Sequence, residues 1–158
     1  MAPTRPESVW TNTQEAARRQ LRRVLAAQEA PPQISAPIWE SFVSGYLAHR
    51  ADLEHAAFAP PTLGAQVARH FALGRVRPAQ EDLVDISFGQ ADHPSALVPP
   101  GSALIQIVTD DRQFLVDTLV MEFRRQNWTL SRLEHPQFHV IRHQGEFQRL
   151  AGAGDRAE

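Results

Sequence analysis

The sequence predicts an α/β (α+β) chain, with an amino-terminal helical segment followed by an incomplete sheet with one main covering helix. Three observations carry this expectation. Apolar residues recur at three- and four-residue steps up to about residue 75; "LVDISF" and "ALIQIVT" then alternate or run apolar. Finally, "IQIVTDDRQFLVDTLVMEFRRQ", from Ile105 to Gln126, passes from a strand pattern through two adjacent carboxylates into an amphipathic helix. The corresponding organisation is a disordered lead over 1–10, a helical segment over 11–75, an α/β domain over 76–150 with truncation left open, and a flexible tail over 151–158.

Asn12 followed by Glu15 suits the cap of a first helix running to about Gln28, where "APPQISAP" breaks it. A second helix begins near Pro37 and presents Trp39, Phe42, Val43, Tyr46 and Leu53 on a face that needs cover. The third has Thr62 as a candidate cap, Leu63, Val67 and Phe71 on one side, and Gly74 at its end. "LVDISF" then puts Val84, Ile86 and Phe88 on one face of a short strand, and "GQADHPSALVPPG" reads as a loop.

"ALIQIVT" is apolar and β-branched enough to be a central strand. The helix after it carries Phe114, Leu115, Val116, Leu119, Val120 and Phe123 on a broad face, broken by Asp117 and Glu122. "WTLSRLEHPQFHVIRH" supplies one or two further strands, with a hairpin at Gln144 and Gly145. One helix cannot cover both faces of such a sheet, so the first three helices, further sequence or a partner must complete it.

Composition narrows the chemistry. The 158 residues are 42% apolar and 22% charged, which fits a folded domain. Cysteine and lysine are both absent, excluding thiol nucleophiles, thiolate metal sites, Schiff bases and a phosphate-loop lysine from this segment. The formal net charge of -2 gives no general argument for nucleic acid. No apolar run approaches the roughly 20 residues that span a bilayer, and the amino terminus lacks a signal-peptide core, so neither a membrane nor a nucleic-acid partner is expected and a cytoplasmic location is the simple expectation. In "ARRQLRRVL", Arg18, Arg19, Arg22 and Arg23 read as the solvated face of a helix, with partner docking the alternative.

At the strand-to-helix corner, a helix starting at Asp111 or Arg112 would let the Asp111 carboxylate accept a first-turn amide. Capping or loop fixation is the plain reading of Asp110 and Asp111, and catalysis by them needs geometry that spacing does not supply. Unpaired amides at a helix start can receive a carboxylate while the aspartates favour an amino group, so an amino acid is the candidate ligand near Asp110, Asp111 and Phe114. His135, His139 and His143 share a side of a continuous strand, but neighbours about 13 Å apart cannot converge on one ion. They read as sheet-face or interface histidines, and His49, His55, His70 and His93 as surface or helix-cap residues. Ser95 beside His93 has no nucleophile-elbow context, and no dinucleotide fingerprint, phosphate loop or HExxH is present, so no catalytic residue and no metal ligand is assigned.

The stretch "IQIVTDDRQFLVDTLVMEFRRQNWTLSRLEHPQFHVIRHQGEF" resembles the amino-terminal part of the very large bacterial NAD-specific glutamate dehydrogenases. The matching positions are the Asp110 and Asp111 pair, Phe114, Leu115, Val116 and Asp117, the His135 and Pro136 pair, and Arg142. "FVSGYLAHRADLE" and "HFALGR" look like that family's helical lead-in, extending the resemblance over roughly residues 35–150. Arg112 and Gln113 depart from the family's usual Met-Pro, removing proline's preorganisation of the helix start, and Thr118 replaces a serine.

The resemblance implies an ACT-like fold and a non-catalytic regulatory or assembly role. In the full-length enzyme, L-glutamate would be converted to 2-oxoglutarate and ammonia with NAD, whose binding region would lie outside this segment. It further implies a downstream catalytic region and a homo-oligomer as partners, an amino-acid effector, and Asp110, Asp111, Phe114, Asp117, His135 and Arg142 as effector or interface residues. A stand-alone amino-acid sensor or protein-interaction module is the alternative, and a separate small enzyme a third.

Overall fold

A computed structural model describes residues 19, 21–32, 34–48, 60–92 and 97–151. The expected lead over 1–10, the Asn12 and Glu15 cap, Arg18, Leu53, His49, His55, His93, Ser95 and the tail beyond Ala151 lie outside the described residues. Within them the fold is α+β, with helices flanking two separate two-stranded antiparallel sheets, consistent with an incomplete ACT-like arrangement.

Residues 21–27 belong to the first helix, α1, in which Val24 is fully buried while Arg19, Arg22 and Arg23 are exposed. That pattern is the solvated basic face read from the sequence. The second helix, α2, spans Ala36–Ala48 and the third, α3, Pro60–Gly74. Thr62 therefore lies inside α3: its first position is a proline, whose missing amide costs nothing there and whose φ suits a helix.

These helices bury Trp39, Phe42, Val43, Leu47, Leu63, Val67 and Phe71 around Val24. The aromatic packing is edge-on between Phe42 and Phe71, at 5.0 Å between centroids, and continues to Phe138, stacked on Phe42 at 4.6 Å. Phe147 meets Phe71 edge-on at 5.1 Å. Side chains from the last third of the chain thus complete the core of the helical segment, a long-range closure that local periodicity does not reveal.

Strand β1, Leu83–Phe88, pairs antiparallel with β2, Ala103–Val108, from Leu83 opposite Val108 to Phe88 opposite Ala103. Residues directly opposed in such a ladder share a face. Asp85 and Gln106 accordingly look toward α3, where Gln106 is buried and donates from Nε2 to the Gln66 carbonyl at 2.8 Å. The sequence puts Val84, Ile86 and Phe88 on one face, and so they are, but it is the outer one: they are 57%, 49% and 64% exposed. Nor is β2 central, because its sheet has only two strands.

Helix α4 covers Leu115–Arg125. Its apolar positions 115, 116, 119, 120 and 123 are half-buried, its polar side is exposed, and none of its residues is buried. Residues 127–139 have no regular structure; β3, Val140–His143, follows and pairs antiparallel with β4, Glu146–Leu150. "WTLSRLEHPQFHVIRH" therefore yields one strand. Its hairpin turn is where it was expected, with Gln144 and Gly145 at φ of 51° and 82°, the positive pair that a tight two-residue hairpin demands.

Candidate functional site at the strand-to-helix corner

The ladder register determines what meets at the corner. Because Leu83 faces Val108, Asp82 and Thr109 come next to one another at the hairpin mouth. Thr109 donates from Oγ1 to Asp82 at 2.6 Å, and the Arg112 guanidinium grips both oxygens of the same carboxylate at 2.9 and 3.0 Å. The Thr109 hydroxyl and then Arg112 hold Asp82 below the usual carboxylate range. Beside this pair, Arg77 donates from Nη1 to Asp110 at 2.7 Å and from Nε to the Glu81 carbonyl at 2.6 Å. The Arg77 bond is the main reason that the Asp110 carboxyl is also depressed.

Arg142 lies on the other side of Arg77. From β3 it donates Nη2 to the Gly74 carbonyl at 2.7 Å and Nη1 to the Gly145 carbonyl at 3.0 Å, covering the last carbonyls of α3 with a cation. Burial, followed by repulsion from Arg77, lowers its pKa. Arg77 also donates its backbone amide to Gly145 at 2.9 Å, so it joins the corner to the β3–β4 turn. Of the six candidate residues, Asp110 and Arg142 are thus brought together through Arg77.

The others are placed differently. Asp111 does not cap α4: the helix starts at Leu115, and its N-cap is Phe114, in the left-handed region at φ 62° and without a side-chain cap bond. The turn through Gln113 and Phe114, closed by the Leu115 amide on the Arg112 carbonyl at 3.3 Å, moves the helix start beyond the reach of Asp111. Phe114 shares the corner loop and is 72% exposed. Asp117 lies in the first turn of α4, where its charge suits the helix dipole. His135 is exposed in the irregular 127–139 segment, and no hydrogen bond or ion pair among the described residues joins it or Asp117 to the corner.

His139 and His143 are exposed as well, but only His143 stands in a strand, so the three histidines do not share one continuous strand. Among the described residues, no group of three or more His, Asp or Glu could hold a metal ion. Nor is any helix among them long and apolar enough to cross a membrane.

His70 corrects the surface or helix-cap reading. It is half-buried, with Nδ1 3.1 Å from the Tyr46 hydroxyl and Nε2 3.1 Å from the Ile107 carbonyl. Arg69, one residue earlier, clamps Asp85 through two bonds at 3.1 and 2.7 Å. Arg77 and Asp82 were marked by no motif, while Tyr46 entered only as part of an apolar helix face and Arg112 only as a departure from the family pattern; the ladder register of the structure is what sets Asp82 beside Thr109.

Helices flanking an open ladder, with an ion-paired corner between strand and helix, define a small α+β domain. Residues 42–158 match the family described as glutamate dehydrogenase, ACT1 domain, and the chain belongs to that family. Membership of an ACT-domain family supports a regulatory, non-catalytic role for the chain. Comparisons with curated proteins and with solved structures gave no significant match.

Proposed function

We propose that the chain is the non-catalytic regulatory or assembly region of an NAD-dependent glutamate dehydrogenase, whose full-length form converts L-glutamate to 2-oxoglutarate and ammonia. The observation that carries this reading is the family match over residues 42–158. The lack of lysine and cysteine agrees with chemistry located elsewhere in a longer chain. On this reading NAD is bound downstream, the partners are that catalytic region and further copies of the protein, and the location is cytoplasmic. Residues 1–158 alone should not turn over L-glutamate with NAD, whereas the longer natural gene product should. Turnover by the 158-residue chain itself would overturn the reading.

The same reading places an amino-acid effector at the corner. Its ammonium group would compete with Arg77 for Asp110, and release of Arg77 would be felt at the β3–β4 turn through the Gly145 contact. Asp111 and Phe114 are exposed in the same loop and open to a ligand. Titration with L-glutamate, followed by amide NMR, should shift Asp110, Asp111 and Phe114 together with Gly145. Unmoved corner amides at saturating glutamate would count against effector binding here and leave the assembly role.

A further inference from the structure

The hydrogen-bond phase of the β1–β2 ladder decides which of its edges is open. Because the Gly89 amide donates to the Ser102 carbonyl, the residues of β1 that exchange bonds with β2 are Leu83, Asp85 and Ser87, opposite Val108, Gln106 and Leu104. Val84, Ile86 and Phe88 therefore turn their N–H and C=O groups sideways, away from β2. Among the described residues no hydrogen bond reaches these groups, and the three side chains are exposed. On the opposite edge, the Ile107 carbonyl is taken by His70 Nε2, and in the other sheet β4 is covered by the bridge from Glu146 to Val76. We propose that the free edge of β1 pairs antiparallel with β1 of a second copy of this chain, about a twofold axis at Ile86.

Parity and charge select that register. Opposed residues of an antiparallel pair share a face, and bonds form only where both strands present their outward groups. With Ile86 opposite its own copy, Val84 meets Phe88 of the second copy and Phe88 meets its Val84, so every outward group of both strands is bonded. Moving the axis to Asp85 would oppose two carboxylates, and moving it to Ser87 would leave Val84 beyond the end of the facing strand. In the Ile86 register Asp85 lies opposite Ser87 of the second copy, a carboxylate facing a hydroxyl, on the side where Arg69 already clamps Asp85.

The strand also lacks the devices that keep edges apart. Exposed edges are blunted by lysine, proline, bulges or unpaired charges. β1 reads "LVDISF", its register against β2 is unbroken, and its one charge is paired with Arg69. Self-pairing would turn a two-stranded ladder, marginal by itself, into a four-stranded sheet of order β2–β1–β1–β2. Its outer face would be continuous and apolar, because Val84 and Ile86 lie opposite Ile107 and Ile105 within each copy. A twofold contact of this kind closes on itself and stops at the dimer. The pairing rests on the assembly half of the proposed function and assigns it to one strand.

Sedimentation equilibrium of the 158-residue chain over a concentration series should show reversible exchange between monomer and dimer. Ile86→Lys, which sets two like charges on the axis, should weaken the dimer about tenfold or more. The chain has no cysteine, so a single introduced thiol reports the register. Opposed residues of a bonded pair have Cα atoms about 5.5 Å apart, within disulfide reach, whereas Val84 and its copy would be offset along the strands by about 13 Å. Ile86→Cys should therefore oxidise to a covalent dimer at least about tenfold faster than Val84→Cys. A chain that stays monomeric at every concentration would overturn the proposal, as would a dimer indifferent to Ile86→Lys or a Val84→Cys thiol that crosslinks as readily as Ile86→Cys. The unaltered chain and the two cysteine variants decide the matter if Ile86→Lys fails to fold. None of these outcomes bears on the non-catalytic reading, which the turnover assay decides.

Discussion

His70 shows how one side chain joins three elements. A carbonyl can only accept, so Nε2 carries the proton that bonds Ile107; in the neutral ring, which burial favours, Nδ1 then accepts from the Tyr46 hydroxyl. Burial lowers the ring's pKa, a shift opposed by the Ile107 bond and the nearby Glu134 carboxylate; Glu134 and Arg132 are also the charged groups that act on Tyr46. Because the unfolded chain keeps a histidine near its ordinary value of about 6.5, it binds more protons than the folded chain between the lowered pKa and that value. Stability contributed by His70 is thus complete above about pH 6.5 and declines as pH falls toward the folded pKa. Urea melts across this range should show that slope, and His70→Gln should flatten it. Tyr46→Phe, which leaves Nδ1 without its donor in a buried setting, should cost about 1–2 kcal/mol at neutral pH by the same melts.

Elements were more legible than the surfaces they bury. The strand over 83–88, the helix end at Gly74 and the Gln144–Gly145 turn all follow from local period or turn chemistry. The orientation of β1 does not, because alternation tells which residues share a face but leaves open which face is covered. Here α3 takes the polar side through Arg69, Gln66 and His70, so Val84, Ile86 and Phe88 look outward. The start of α4 eluded the sequence for a similar reason: Phe114 adopts a left-handed turn that nothing in its side chain announces. The Arg77–Asp110 pair spans 33 residues of chain, beyond any local pattern.

The loop closing β1 and β2 offers a test at this scale. Gly89 donates to the Ser102 carbonyl at 2.9 Å and accepts from Gly101 at 3.2 Å, drawing the two ends of the loop together. A Cβ on Gly89 would stand 1.8 Å from the Pro99 carbonyl oxygen, a backbone atom that cannot swing aside. Gly89→Ala should therefore open the loop and destabilise the chain by about 1–3 kcal/mol in urea unfolding. An unchanged midpoint would mean that the loop relaxes without loosening the ladder.

Across the whole molecule, stability is concentrated away from the corner. The buried cluster joins α1, α2 and α3, with Phe138, Phe147 and Leu150 packed against it, whereas α4 contributes no buried residue. Regions with few buried apolar contacts open at lower free energy than the core. Amide hydrogen exchange should consequently be slowest in the middle of α2 and α3 and markedly faster throughout α4. Paired substitutions sharpen the contrast. Phe42 is 8% exposed and packs against Trp39, Phe71 and Phe138, so Phe42→Ala should cost about 3–5 kcal/mol. Met121, on the exposed side of α4 at 65%, should lose no more than about 0.5 kcal/mol on replacement by alanine. If α4 proved as protected as α3, a partner or a second copy would have to cover it in solution.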